Sequence, residues 1–368
     1  MRFELQNLKK VTILVLFGSL FLGCSGMHAG KDFAFIKVNR ADLMSQATRA
    51  YQAGDYGQAA ENFKKVLIYN QDDATTAYNL ACCYALQGDA ENTVIFIDHA
   101  YANGFRNMEL LATDTDLNPV REDPGFVALM HKLEQNFRSQ GLLDYVAAPS
   151  LLPYRIRFPK GYDASKSYPL LIGMHGAGGN AEGFITHYDK LDNPQVIYVT
   201  PEGQYPYTMD MGPQWHSRSW SLTNVGRTAW KMADKMVSEY ILNTIKQVSS
   251  EYKISDVYLV GFSQGGVYAY TIGLQNPDKI KGVIVFGSYL MDVDSEDSML
   301  HKEDLEKGKK LRIYIAHGVD DASISIQVAR DLKTMFEMQG YDLTYTEFEG
   351  QHGVNAAVFN DVLKWMQL

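Results

Sequence analysis

Beyond about residue 150, short apolar runs alternate with longer amphipathic segments. Seven runs have the length and the β-branched and aromatic content of strands. They lie at 154–159, 168–175, 196–201, 256–262, 281–287, 311–318 and 343–350. Three segments with helical patterning lie between them, at 229–252, 265–277 and 324–340. Near-continuous apolar strands separated by helices predict an α/β fold, with a mostly parallel sheet covered on both faces.

Four of the loops that follow these strands contain residues suited to catalysis. The loops read "HGAGGNAEGF", "GFSQGG", "HGVDDASI" and "EGQHG", and they supply Ser263, Asp321 and His352 in chain order. Ligands of parallel sheets bind beyond the carboxyl ends of the strands. A serine on a strand-to-helix turn, a later acid and a histidine near the C-terminus follow the Ser-Asp-His order of α/β-hydrolases.

Each of these residue types has a chemical reason to be present. A serine hydroxyl becomes a good nucleophile only when an imidazole takes its proton, and a carboxylate fixes the tautomer of that imidazole. Gly261 and Gly265 flank the turn because side chains there would collide. The tetrahedral intermediate needs backbone N–H donors, one from Gln264 and one from the "HGAGG" loop.

Residues 150–368 resemble the α/β-hydrolase superfamily. The stretch "RFPKGYDASKSYPLLIGMHGAGGNAEGF", together with "GFSQGG", is similar to esterases related to polyhydroxybutyrate depolymerases, feruloyl esterases and the phospholipase/carboxylesterase group. The resemblance implies hydrolysis of carboxylic esters without a metal or an organic cofactor. It assigns Ser263 as nucleophile, Asp321 as acid, His352 as base and the Ala177 amide as the second oxyanion donor. Asp320 competes for the acid role, but the related pattern H-G-x-x-D-x-x-V fits Asp321.

Some motifs in this half of the chain allow a second interpretation. "GAGGNA" at 176–181 also has the spacing of a dinucleotide-binding turn, but it has no clear acidic partner about 20 residues on, since Glu202 lies 26 residues after Gly176. We interpret His175 and His317 as structural residues. The long segment 203–224 is either a surface excursion or a binding loop, in which Trp215, His216 and Trp220 would contact substrate.

The front of the chain is helical and repeats with a period of 34 residues. Gly54 and Gly88 are 34 apart, as are Asp55 and Asp89, so each Gly-Asp pair would end one helix and cap the next. Residues 41–104 resemble tetratricopeptide repeats, and 110–130 looks like the segment that closes such arrays. This small all-α domain is either a docking surface for a protein partner or a structural cap.

The first 24 residues resemble a bacterial lipoprotein signal. A positively charged start precedes a 12-residue apolar core at 11–22, and "FLGC" ends at Cys24, the residue that would be lipidated. The alternative is a plain secretory signal. We therefore expect an exported protein held at a membrane of the cell envelope by a lipid anchor.

Several other classes are disfavoured. The net charge of −9, without a basic run, argues against a nucleic-acid partner. Cys82 and Cys83 lie within a helical pattern and are interpreted as buried residues, and no ligand set has metal-binding spacing.

The predicted organisation has four segments: a signal at 1–24, a tether at 25–40, the helical repeats at 41–140 and the hydrolase domain at 141–368. The leading hypothesis is a membrane-anchored serine hydrolase of small-molecule or polymer-linked esters. The alternatives are an oligopeptidase-like serine peptidase and a non-enzymatic adaptor that uses the hydrolase fold as a scaffold.

Overall fold

A computed structural model describes residues 40–139, 146, 150–207, 217–222, 225–295 and 298–366. The chain divides into two compact units, Met1–Tyr145 with Asn224–Gly226, and Val146–Thr223 with Arg227–Leu368. The predicted signal, with its apolar core and Cys24, lies outside the described residues. Within the described ranges, no helix is both long and apolar enough to cross a lipid bilayer.

The described residues of the first unit, 40–139, contain six α-helices. They are α1 (Arg40–Gln52), α2 (Tyr56–Tyr69), α3 (Ala74–Leu86), α4 (Ala90–Ala102), α5 (Met108–Thr113) and α6 (Pro124–Ser139). Gly54 and Gly88 adopt φ values of +77° and +76°, which end α1 and α3 without a steric cost. Asp55 and Asp89 then cap α2 and α4, and each carboxylate accepts a hydrogen bond from the backbone N–H three residues later.

Small side chains allow the helices of this unit to approach one another closely. Ala47, Ala59, Ala81 and Ala100 are all fully buried, and α1 packs on α2, α2 on α3, and α3 on α4. Cys82 and Cys83 of α3 are buried and form no disulfide among the described residues, as expected for small core residues. The unit therefore has a hydrophobic core of its own.

The described part of the second unit is organised around a seven-stranded sheet. Its strands are β1 (Tyr154–Arg157), β2 (Tyr168–Met174), β3 (Ile197–Pro201), β6 (Ile254–Phe262), β7 (Gly282–Phe286), β8 (Arg312–Gly318) and β9 (Asp342–Phe348). Their order across the sheet is β1-β3-β2-β6-β7-β8-β9. β1 pairs with β3 in antiparallel orientation, and all other pairs in this sheet are parallel. The prediction of a mostly parallel sheet is confirmed.

Helices cover both faces of the sheet. They are α7 (Ala181–Ile185), α8 (Arg227–Glu251), α9 (Gln264–Gln275), α10 (Lys302–Gly308), α11 (Ile326–Met338) and α12 (Ala356–Trp365). Along β2, Leu170 and Ile172 belong to one buried cluster and Leu171 to another, because successive side chains of a strand point to opposite faces. Two apolar cores therefore hold the sheet, and the loops at the carboxyl ends of its strands are free to carry the candidate site.

A short hairpin interrupts the long segment that was interpreted as a binding loop. Its strands are β4 (Tyr205–Pro206) and β5 (Arg218–Ser219), which pair in antiparallel orientation. Tyr207 extends the pairing, since its N–H donates to the Ser217 carbonyl. β5 is therefore part of the described structure, and it directly precedes Trp220 in the chain.

Candidate active site

Ser263 lies on a tight turn between β6 and α9. Its backbone φ of +52° is one that residues with a side chain rarely adopt, and such backbone strain costs about 1–3 kcal/mol. Hydrogen bonds to its backbone hold the turn: the Ser263 N–H donates to the Phe286 carbonyl (3.0 Å), and the Ser263 carbonyl accepts from the Ser288 hydroxyl (2.7 Å) and the Gly266 N–H (2.9 Å). The half-buried hydroxyl is thus presented at the carboxyl end of a central strand.

The two glycines that flank this turn are sterically required. A Cβ on Gly261 would lie 2.3 Å from the Gly265 carbonyl oxygen. A Cβ on Gly265 would lie 2.2 Å from the Met174 carbonyl oxygen, on the neighbouring strand β2. The G-x-S-x-G spacing therefore follows from how closely the strand, the turn and the helix pack.

Asp321 and His352 form a buried pair. His352 Nδ1 lies 2.7 Å from Asp321 Oδ2, although the two residues are 31 positions apart in the chain. Asp320 is exposed, and its backbone N–H donates to the Gly350 carbonyl. Of the two aspartates, it is thus Asp321 that contacts the histidine.

Several donors surround the Asp321 carboxylate. Oδ1 accepts hydrogen bonds from the backbone N–H groups of Ser323 (2.8 Å) and Ile324 (2.9 Å). Burial alone would raise the pKa of the Asp321 carboxyl, but hydrogen bonds from His317, His352 and Ile324 hold that pKa well below its usual range. The group is therefore ionised at neutral pH, so the Nδ1 of His352 carries a proton and its Nε2 is free to accept one.

His352 lies next to the serine turn. Its ring centroid is 4.7 Å from that of Phe262, the residue before Ser263. A Cβ on Gly287 would lie 3.2 Å from both His352 Nδ1 and Asp321 Oδ2, and Gly287 directly follows Phe286, whose carbonyl holds Ser263. No hydrogen bond between the Ser263 hydroxyl and His352 is present in the described part of the chain, and such bonds often tighten only when substrate is bound.

The backbone N–H groups of Ala177 and Gln264 lie near Ser263 and make no hydrogen bond within the described ranges. Gln264 is the first residue of α9, where helix N–H groups have no partner inside the helix. Ala177 lies in the loop after β2, and a Cβ on the adjacent Gly176 would lie 3.4 Å from the Ser263 Cβ. The two amides therefore come from segments that flank the same serine.

His175 supports the loop that contains Ala177. It is buried, and burial lowers the pKa of its imidazole to about 4, so the ring is neutral at neutral pH. Nε2 accepts a hydrogen bond from the Gly203 N–H (3.1 Å), which places the proton on Nδ1, where it is donated to the Gly176 carbonyl (2.8 Å). The His175 ring, with its proton on Nδ1, thus links the loop after β2 to the loop after β3.

The three side chains predicted to contact substrate have different positions. Trp215 and His216 lie outside the described residues. Trp220 is fully buried: its indole N–H donates to the His175 carbonyl (2.7 Å), and its ring packs on the His175 ring with centroids 4.8 Å apart. Trp220 thus contacts the loop that contains Ala177. That Trp220 also contacts substrate stays a prediction.

Residues 162–368 match the sequence model of the phospholipase/carboxylesterase family. This chain belongs to that family. It is 25% identical to acyl-protein thioesterase 1 of Aspergillus fumigatus over 237 residues, which are 60% of this chain and 93% of the relative. It is 25% identical to a probable feruloyl esterase C of Aspergillus niger over 134 residues, 36% of this chain and 44% of the relative. Membership in the phospholipase/carboxylesterase family and these similarities identify the chain as a carboxylic ester hydrolase.

Among solved structures, a carboxylesterase of Bacillus cereus matches the present chain with a TM-score of 0.43 and 15% sequence identity. The match covers 63% of this chain and 97% of the other.

His317 takes part in the site in a way that the sequence did not reveal. Its Nε2 lies 3.2 Å from Asp321 Oδ2 and 2.8 Å from the Ile324 carbonyl. Because the Ile324 carbonyl can only accept, Nε2 carries the proton, and this one N–H is shared between that carbonyl and Asp321 Oδ2. The four-residue spacing from Asp321 was the available signal, since His317 lies at the end of β8 and Asp321 in the loop that follows it.

Among the residues that the structure describes, the first unit contains one cluster of potential metal ligands. One donor atom each of Cys82, Asp114 and Asp116 lies within 4.8 Å of the others. The hydroxyls of Tyr51 and Tyr78 donate hydrogen bonds to Asp116 and Asp114, and burial raises the pKa of the Cys82 thiol well above its usual value. The two carboxylates are therefore hydrogen-bonded within the core of this unit, and the thiol is protonated at neutral pH.

Proposed function

We propose that the second unit hydrolyses carboxylic esters through an acyl-enzyme intermediate, with Ser263 as nucleophile, His352 as base and Asp321 as the orienting acid. The observation that carries the proposal is the 2.7 Å pair of His352 and Asp321 beside the strained turn at Ser263. An ionised Asp321 fixes the Nδ1–H tautomer of His352, which leaves Nε2 unprotonated.

The first half of the proposed reaction forms the acyl-enzyme. Ser263 Oγ attacks the carbonyl carbon of the ester while its proton passes to His352 Nε2, and the π electrons move to the carbonyl oxygen. The N–H groups of Ala177 and Gln264 stabilise that oxyanion. The intermediate then collapses, the C–O bond to the alcohol breaks, and the leaving oxygen takes the proton from His352.

The second half releases the acid. A water molecule gives a proton to His352 Nε2 as its oxygen attacks the acyl carbon. Collapse of the second tetrahedral intermediate breaks the bond to Ser263 Oγ, which regains the proton. Throughout, Asp321 stays ionised and stabilises the transient imidazolium.

A substrate panel tests the reaction class. We expect the purified protein, residues 25–368, to hydrolyse p-nitrophenyl acetate and butyrate, because a serine nucleophile with an oxyanion site attacks any accessible activated acyl group. Feruloyl esters and acyl thioesters in the same panel test the substrate classes named for the relatives. Cleavage of a chromogenic peptide without cleavage of any ester would contradict the proposal and favour the peptidase alternative.

We also propose that the first unit is a tetratricopeptide-like domain that docks a protein partner. The 34-residue spacing, the capped helix pairs and the four buried alanines support this proposal. The lipoprotein-like sequence that ends at Cys24 supports a lipid anchor at a bacterial membrane.

One experiment tests both features of the N-terminal part. In bacterial cells fed a labelled fatty acid and treated with a cross-linker, the wild-type protein is expected to be labelled, to sediment with membranes and to cross-link to one defined partner. A Cys24→Ala variant is expected to lose the label and the membrane association. Equal labelling of the variant would contradict the anchor, and a wild-type protein without cross-linked products would contradict the docking role.

A further inference from the structure

The side chain of Gln264 makes hydrogen bonds to a segment 44 residues earlier in the chain. Its Oε1 accepts from the Trp220 N–H (2.9 Å), and its Nε2 donates to the Ser219 hydroxyl (3.0 Å). That hydroxyl donates to the Ser221 carbonyl (2.8 Å), which confirms its acceptor role toward Gln264. Gln264 and Ser219 are both buried, so these bonds are shielded from competing water.

The same segment is fixed to the loop that contains Ala177. The Arg218 N–H donates to the Gly179 carbonyl (2.9 Å), and the Gly178 N–H donates to the Arg218 carbonyl (2.8 Å). The indole N–H of Trp220 donates to the His175 carbonyl (2.7 Å). Residues 218–220 therefore contact this loop on one side and the Gln264 side chain on the other.

We infer that the Gln264 carboxamide is a positioning residue that sets the distance between the two oxyanion amides. Its own backbone N–H is one of those amides, and through Ser219 and Trp220 its side chain holds the loop that provides the other. This inference rests on the proposed function, because it takes the Ala177 and Gln264 amides as the oxyanion donors. It goes beyond that function by giving the glutamine side chain a task that a backbone donor alone does not require.

A small displacement is enough to matter. Oxyanion donors act at 2.7–3.1 Å from the developing charge, and a misplacement of about 1 Å can cost about 100-fold in rate. Without the carboxamide, the buried Trp220 N–H loses its acceptor, and the segment that holds the Ala177 loop is free to shift.

Gln264→Met is the informative variant, because methionine is close to glutamine in size and makes neither hydrogen bond. We expect kcat for p-nitrophenyl butyrate to fall about 10- to 100-fold while KM changes less than about threefold, since the oxyanion forms only after substrate binds. The affinity for a trifluoromethyl ketone, which forms a charged adduct with the serine, should fall in proportion to kcat. A purely structural role of Gln264 would lower the melting temperature without this parallel.

Three further variants keep the test decisive. Thr271→Val removes another buried hydroxyl of α9, one that bonds to the Val267 carbonyl, and should leave kcat unchanged. Trp220→Phe removes the indole link to His175. If both links act in one chain, the Gln264→Met/Trp220→Phe double variant should lose much less than the product of the two single losses.

The remaining outcomes separate this inference from the proposed function. If Gln264→Met does not fold, Ser219→Ala replaces it, and a loss of about 3- to 10-fold in kcat with parallel inhibitor weakening is expected. Full kcat and inhibitor affinity in either folded variant would overturn the inference alone. Full activity of Ser263→Ala would instead overturn the proposed function.

Discussion

Ser263→Ala is expected to lower kcat/KM for a short aryl ester by at least about 1,000-fold. Without the hydroxyl, no acyl-enzyme forms, and only the oxyanion amides and substrate binding remain to assist attack by water. The turn itself should persist, because the hydrogen bonds that hold it use the Ser263 backbone N–H and carbonyl. Alanine also tolerates the position about as well as serine, since both carry a Cβ at the same φ of +52°.

Ser238 provides a matched control for this substitution. It is a buried serine of α8 whose hydroxyl has no hydrogen-bond partner among the described residues, so Ser238→Ala should retain full activity. Steady-state kinetics and labelling by a fluorophosphonate probe measure the two variants side by side. Activity of Ser263→Ala equal to that of the wild type would refute the nucleophile assignment, and labelling at another serine would identify the replacement.

The main sheet of the second unit could be predicted from sequence because most residues of its inner strands β2, β3, β7 and β8 are buried on both faces. Such strands appear as continuous apolar runs, and the seven predicted runs overlap the seven strands of the main sheet. The direction of each strand was harder to predict from sequence. β1 is the antiparallel edge strand, and the alternating exposure of its four residues reflects one covered face. The C-terminal helix α12 was not predicted from the sequence.

In the candidate site, local steric rules were easier to predict than long-range contacts. The turn at Ser263 follows from a strand, two glycines and a helix that are adjacent in sequence. By contrast, Gln264 at a helix start has the pattern of a surface residue, and its partners Ser219 and Trp220 are more than 40 residues away. The sequence therefore predicted a role only for the backbone N–H of Gln264. Pairings of this kind depend on how the loops meet after folding, which no local pattern encodes.

The imidazole tautomers of three histidines likewise depend on contacts that no local sequence pattern encodes. As residue types they are identical, but burial leaves His175 neutral, an ionised Asp321 fixes the tautomer of His352, and the Ile324 carbonyl fixes that of His317. In the proposed reaction, Asp321 thus determines which nitrogen of His352 carries the proton.

Asp321→Asn is expected to lower kcat by about 10,000-fold, the size of the effect seen for the equivalent change in a Ser-His-Asp protease. The N–H groups of Ser323 and Ile324 both require an acceptor, so the Oδ1 of the new asparagine occupies that side and its NH₂ group faces His352. Nδ1 must then accept a hydrogen bond, the proton moves to Nε2, and the imidazole no longer takes a proton from Ser263. The flipped amide would direct its NH₂ group at two N–H donors, which costs about 1–3 kcal/mol for each buried group left unpaired.

Asp320→Asn is the matched control, because it makes the same chemical change one residue earlier. The Asp320 side chain is exposed, and its backbone contact with Gly350 is retained, so kcat should stay within about twofold of the wild type. Stopped assays of kcat and KM, with melting temperatures for both variants, make the comparison. A loss below about tenfold for a folded Asp321→Asn protein would exclude Asp321 as the orienting acid, and a larger loss for Asp320→Asn would transfer that role to its neighbour. KM should change little in Asp321→Asn, since the carboxylate is buried behind His352 and acts only as the imidazole becomes charged.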